Sequence, residues 1–160
     1  MRVAATLLTV SALAVGSIAV HEGFRSDAYS DGAGTTTIGF GTTQIAGSRV
    51  RPGDRIDPLR AVQVLADDAD RHARAIAQCI GPVPLHQYEF DAYVSFSYNV
   101  GASAFCRSTL VRKLRARPPD YAGACAEMLR WVFAGGRVLP GLERRRQAEY
   151  QRCTGPTQEG

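Results

Sequence analysis

The sequence predicts an α+β, mostly helical protein: a small β lobe near residues 25–50, followed by a larger helical lobe at about 57–153. Three observations carry this. A run of β-formers, TTTIGF at 35–40, sits between glycines. From Asp57 onward, apolar residues recur at helical spacing, punctuated by Gly and Pro. Ahead of both lies an uncharged stretch, 3–20, that reads as a helix.

The elements follow in chain order. As a helix, the stretch 3–20 would span roughly 27 Å, slightly short of a ~30 Å hydrocarbon core. More than half of it is Ala, Gly, Ser and Thr, a weak composition for an anchor. Three readings fit it. It is a cleaved signal peptide, with Arg2 as n-region and Ala12-Leu13-Ala14 as cleavage site; a marginal membrane anchor; or a buried helix of the domain. The run 35–40 is a short strand or hairpin. Asp57-Pro58 starts a helix, Asp as N-cap and Pro at the first helical position. Leu59, Val62, Leu65, Ala69, Ala73 and Ile76 carry it to about Cys79.

Gly81-Pro82-Val83-Pro84 breaks that helix. The next, 85–100, is apolar on more than one side and is expected to be central and mostly buried, ending at Gly101. A short helix at 108–116, another from Tyr121 to about Phe133 stopped by Gly135-Gly136, a basic final helix at 141–153 and a loose tail at 154–160 complete the layout.

Length and composition bound the function. One domain, or two small lobes sharing a helix, fits 160 residues. Hydrophobic content of 45% and charged content of 21% are those of a globular chain. The formal charge of +4 is nearly all arginine, with Lys113 the single lysine. It suits a polyanionic partner such as nucleic acid, anionic lipid or an acidic wall polymer. No nucleic-acid motif accompanies it, so no nucleic-acid partner is expected. Cys79, Cys106, Cys125 and Cys153 form no C-x-x-C pair; they are compatible with two disulfides, in three possible connectivities, or with four buried thiols. His21, His72 and His86 form no metal constellation, and no cofactor is expected.

The chemistry concentrates at 22–43. Glu22 ends the apolar segment, Asp31 follows in a turn, and Thr37 lies in the expected strand. Two carboxylates from different elements facing one cleft are what hydrolysis of a glycosidic bond requires: one neutral acid for the leaving oxygen, one ionised group. A glutamate against apolar surface gains a raised pKa by desolvation, and a polar turn keeps its partner ionised. Spacing alone favours a solvated helix end, a turn former and a β-former, because paired carboxylates are common. Asp27 reads as a solvated loop residue, and the arginines at 144–146 as a solvated helix face, although Arg144 or Arg145 could pair with Glu22.

The full string E-G-x-R-x-x-A-Y-x-D-x-x-G-x-x-T-x-G-x-G is present: Glu22, Gly23, Arg25, Ala28, Tyr29, Asp31, Gly34, Thr37, Gly39, Gly41. It resembles the bacteriophage-type lysozymes, glycoside hydrolase family 24. PLHQYEFDAYVSFSYNVGASAF, STLVRKL and GACAEMLRWVFAGGRVLPGLERRRQAE are similar to the family's central helix and cleft-closing helices, so the resemblance covers about 13–153. It implies the phage-lysozyme fold with a cleft between the lobes. It further implies cleavage of the β-1,4 bond between N-acetylmuramic acid and N-acetylglucosamine, with Glu22 as acid, Asp31 as base or electrostatic partner and Thr37 as water positioner. Tyr98, Thr43 and Ser108 match substrate contacts in relatives; Tyr98 fits the core equally well. Relatives with a caged catalytic cysteine have no counterpart here, since Asp31 holds that position. A non-catalytic wall-binding relative and a lytic transglycosylase are the alternatives.

In such a family the helix bearing the glutamate belongs to the fold, and here it continues the apolar stretch. The resemblance extends to signal-anchor-release endolysins. Residues 3–20 would hold an inactive chain at the host inner membrane, and its release would give an active monomer in the periplasm. The alternatives are a cleaved signal, or a cytoplasmic enzyme freed by a holin. Peptidoglycan is then the partner, with the membrane before release. Export favours disulfides, expected as Cys106–Cys125 and Cys79–Cys153.

Overall fold

The structure, a computed structural model, describes residues 1–31 and 34–155. The α+β, mostly helical class is as the sequence predicts, and the elements run as follows. Strand β1 (Val3–Ala4), a 3-10 turn (Ala5–Leu7) and helix α1 (Ala12–Glu22) form the N-terminal segment. Strands β2 (Arg25–Ser30), β3 (Thr36–Gly39), β4 (Gln44–Ile45) and β5 (Ser48–Arg49) make the β lobe. Helix α2 (Pro58–Ile80), strand β6 (Pro84–Leu85), helices α3 (Gln87–Val100), α4 (Ala102–Cys106), α5 (Thr109–Leu114) and α6 (Tyr121–Glu127), a 3-10 turn (Met128–Arg130), strands β7 (Phe133–Ala134) and β8 (Arg137–Val138), and helix α7 (Pro140–Cys153) complete the chain. Of the expected tail, residues 156–160 lie outside the described residues.

The apolar stretch is not one helix. It breaks at Ser11, whose side chain accepts the N–H of Ala14 and so starts α1. Ahead of the break the chain is extended and pairs with β6 in antiparallel register, Val3 opposite Leu85 and Ala4 opposite Pro84. Two buried carboxylates of α3 draw it there. Arg2 donates to Glu89 at 2.8 and 3.2 Å, and Ser11 donates to Asp91. A buried carboxylate without such donors would be costly, so the arm's polar atoms fix its path. The folded body therefore includes residues before 13, with Ala5 fully buried. Among the described residues, no helix is long and apolar enough to cross a membrane.

In the β lobe, the run read as a strand is β3. It pairs antiparallel with β2, Tyr29 opposite Thr37 and Ser30 opposite Thr36. Ile38, Val50, Ile56, Ala61 and Val64 form a small core beneath it. Asp27, expected in a loop, lies in β2 and pairs at the surface with Arg55 at 2.9 Å.

Helix α2 starts at Asp57 and Pro58 as the sequence predicts, with the Asp57 carboxylate accepting the N–H of Arg60 at 3.0 Å. Its first turns supply Ala61 and Val64 to the small core, and Leu65 to Ile80 serve the large one. One helix thus joins both lobes. Phe40 packs against both cores at the junction. Helix α3 is central: Phe90, Tyr93, Val94 and Phe96 are all fully buried, so it is apolar on every side, as expected.

Three expectations are corrected here. The helix from Tyr121 ends at Glu127 and gives way to the 3-10 turn and a hairpin. Gly135 and Gly136, read as a helix stop, form its turn with φ of 57° and 74°, which two-residue hairpin turns require. The disulfides are Cys79–Cys106 and Cys125–Cys153, each with Cα atoms 5.7 Å apart. Pairing follows helix neighbours: Cys79 in the last turn of α2 lies beside α4, and Cys125 of α6 beside the end of α7. Finally, the basic face of α7 is only partly solvated. Arg144 is exposed, whereas Arg145 and Arg146 are buried.

Candidate active site

Glu22 is the last residue of α1, where Gly23 closes the helix with its N–H on the Ala19 carbonyl at 3.0 Å. Its side chain is 22% exposed. Oε1 accepts Nη1 of Arg145 at 2.8 Å, so Arg145 is the partner that the sequence left open between Arg144 and Arg145. On the other oxygen the β lobe approaches closely. A Cβ added at Gly41, which has φ +86°, would lie 3.5 Å from Oε2. Glycine at 41 thus leaves this face of the carboxylate uncovered while letting the backbone run beside it.

Arg145 is held from behind. Its Nε donates to Glu149 Oε1 at 3.2 Å and its Nη2 to the Ser95 carbonyl at 3.4 Å. Glu149 also accepts the Ser95 hydroxyl at 2.8 Å and Nη1 of Arg146. Arg146 is fully buried; it donates to the Trp131 carbonyl at 3.1 Å and to Asn99, and its guanidinium lies over the Phe96 ring, 4.8 Å from the centroid. Sequence reasoning missed this network. The signal available was the spacing of Arg145 and Arg146, four and three residues before Glu149, which sets them on its helix face. Burial, and next the Arg145 guanidinium, push the His21 imidazole below its ordinary value.

Asp31 sits at the turn between β2 and β3. Its Oδ1 accepts the N–H of Thr35 at 2.8 Å, and its own N–H donates to the Thr35 carbonyl at 2.9 Å. Thr37, opposite Tyr29 on β3, is buried; its hydroxyl makes a long 3.5 Å bond to the Tyr29 carbonyl.

A cleft of about 430 Å³ opens between the lobes, lined by Gly41, Thr42, Thr43 and Gln44 on one side and by Asp68, His72, Tyr98 and Ala102 on the other. Two of the sequence-predicted contacts, Thr43 and Tyr98, line it together. Tyr98 is half-buried, its ring 5.2 Å from that of His72, and burial followed by the Asp68 carboxylate pushes its hydroxyl up. The Thr42 hydroxyl donates to Asp68 Oδ2 at 3.0 Å, tying the β lobe to α2 at the cleft floor. Ser108 stands apart. It is buried, its hydroxyl donates to the Phe105 carbonyl at 2.6 Å and accepts the Val111 N–H, and it caps α5 rather than lining the cleft.

A partly exposed carboxyl on a helix end, a second carboxylate in a polar turn and a mixed polar and aromatic cleft suit cleavage of a polysaccharide. The comparisons with known proteins agree. Residues 19–149 match the family model described as phage lysozyme. The chain is 40% identical over 133 residues to an endolysin of Acyrthosiphon pisum secondary endosymbiont phage 1, covering 81% of this chain and 86% of that one. It is 36% identical over 132 residues to a protein of Bacteriophage PS119 named SAR-endolysin, covering 82% of this chain and 75% of that one. Among solved structures, the endolysin from Escherichia coli O157:H7 phage FAHEc1 superposes with a TM-score of 0.84 at 33% identity, covering 93% of this chain and 95% of that one.

Proposed function

The chain belongs to the phage lysozyme family, and from that premise we propose that Glu22, Asp31 and Thr37 carry the chemistry of a muramidase of the glycoside hydrolase family 24 type. The protein is a phage endolysin that degrades peptidoglycan and so lyses the host. Glu22 in its neutral form gives its proton to the leaving glycosidic oxygen as the C1–O bond breaks. A water held by the Thr37 hydroxyl adds to C1. The Asp31 carboxylate takes the water's proton, or offsets the positive charge that develops on the sugar while that proton leaves to solvent. Thr43 and the Tyr98 ring are the sugar contacts of the cleft.

The observation that carries this reading is the placement of Glu22: a partly exposed carboxylate at a helix end, with a buried arginine on one oxygen and the other left uncovered beside Gly41. Glu22→Gln is expected to lower the clearing of outer-membrane-permeabilised Gram-negative cells by roughly 10²–10⁴-fold. Full activity in that variant would discard the site. Product masses distinguish the chemistry, because hydrolysis adds a water and transglycosylation leaves 1,6-anhydro ends.

We infer further that residues 3–20 first tether the chain to the host inner membrane and then leave it, so that the enzyme becomes active in the periplasm. The weak hydrophobicity of the stretch supports this, as does the likeness to a protein named SAR-endolysin. In the bilayer the stretch would be helical and Glu22 would be drawn from the cleft. On release it would take up the strand, turn and helix of the folded body. Intact mass of membrane and soluble fractions, before and after depolarisation, tests it. Full-length protein moving to the soluble fraction is expected; a soluble species lacking the first fourteen residues would mean a cleaved signal.

A further inference from the structure

We propose that Glu149 is a positioning residue for Glu22 that works through Arg145 and governs the upper pH limit of activity; this rests on Glu22 being the proton donor. A general acid must be neutral to act, and a guanidinium 2.8 Å from its oxygen favours the ionised form. Left alone, Arg145 would oppose the role assigned to Glu22. It is not left alone, since the same guanidinium also donates to Glu149 at 3.2 Å. One cation is divided between two carboxylates. Glu149 in turn is fixed by the Ser95 hydroxyl and by Arg146, and Arg145, Arg146 and Glu149 are all buried.

Charge balance sets the sign. With Glu22 neutral, Arg145, Arg146 and Glu149 together carry a net single positive charge. Without the Glu149 charge the same pocket would hold two uncompensated cations, and Glu22 would be drawn to its ionised form to offset one of them. Arg145, Arg146 and Glu149 are buried, so solvent screens their interaction with one another weakly. The other titratable groups bearing on Glu22 are His21 on its own helix and Tyr98 on α3, with Asp31 from the β lobe in the proposed mechanism. None of them is substituted in the variants below, but His21 itself feels Arg145 and Glu149, so the same variants are also run with His21→Gln, where a limb that moves as before reports on Glu22.

The test is the pH–rate profile of the full chain on soluble peptidoglycan fragments, for the unaltered protein, Glu149→Gln and Arg145→Gln. Loss of the Glu149 charge is expected to move the high-pH limb down by about half a pH unit or more, and loss of the Arg145 charge to move it up by a similar amount. A purely structural role would lower the rate in both variants and leave the limb in place, and that result overturns the proposal. Should Glu149→Gln not fold, Glu149→Asp keeps the charge for Arg146 but draws it back from Arg145; its limb should move down by a smaller step, and an unmoved limb again overturns the proposal. Glu22→Gln, run alongside, separates the two failures. Activity in that variant removes the premise, whereas its inactivity with unmoved limbs elsewhere removes only the role of Glu149.

Discussion

Ser11 gives both its backbone N–H and its hydroxyl to the carboxylate of Asp91, at 3.1 and 2.6 Å, across eighty residues of chain. The same serine caps α1, so one residue starts the helix that bears Glu22 and fastens it to the central helix. Gln87 adds a third donor to Asp91 at 2.9 Å and holds the Thr9 carbonyl at 2.8 Å. Asp91→Ala is expected to cost about 1.5–3 kcal/mol, the range for hydrogen bonds to a charged group. It should also open the first eleven residues to protease. Urea melts and limited proteolysis check both. A variant as resistant as the parent would show that the arm is held by β1 and Arg2 alone.

Stability should fall on the acid side through His72. Burial depresses its imidazole pKa below the ordinary 6.5, with Arg71 pushing in the same direction and Asp68 opposing. A histidine whose folded pKa is lowered binds its proton more readily when unfolded. The stability gained from keeping it neutral is therefore present above 6.5 and is lost as pH falls through the folded value. His72→Gln should flatten the dependence of melting temperature on pH between about 5 and 7, where carboxylates contribute little. An unchanged slope would assign the acid sensitivity elsewhere, with His21 next in line.

Non-reducing peptide mapping of exported protein should yield Cys79 with Cys106 and Cys125 with Cys153. The loops they close, with sequence separations of 27 and 28, correspond to roughly 3.5 kcal/mol each by chain entropy. Cys125→Ser with Cys153→Ser should lower the urea midpoint accordingly. Recovery of Cys106 joined to Cys125 would contradict the packing of α4 on α2.

Much of the fold was legible because local signals and tertiary packing agreed. Asp57-Pro58 both signals and starts α2, and the all-round apolar pattern from Phe90 to Phe96 marks α3 as central. What escaped depends on distant partners. Nothing local in the alanine-rich stretch before Glu22 reveals that Ser11 is claimed by Asp91, so it reads as one helix. Gly135-Gly136 fits a helix stop and a hairpin turn equally, and only the pairing of Phe133 with Val138 decides. In the site, Glu22 and Arg145 are 123 residues apart, and their ion pair was open from sequence only as one of two arginines. The burial of Arg146 escaped because its partners Asn99 and the Trp131 carbonyl lie on other segments.

Both disulfides join residues from Cys79 onward, so neither crosses between the lobes. The two sides of the cleft are joined by the chain between α1 and β2, by the backbone of α2, by the Thr42–Asp68 hydrogen bond and by the packing around Phe40. Neither disulfide therefore fixes the distance between the two walls of the cleft, whereas both brace the helical half that forms one of those walls.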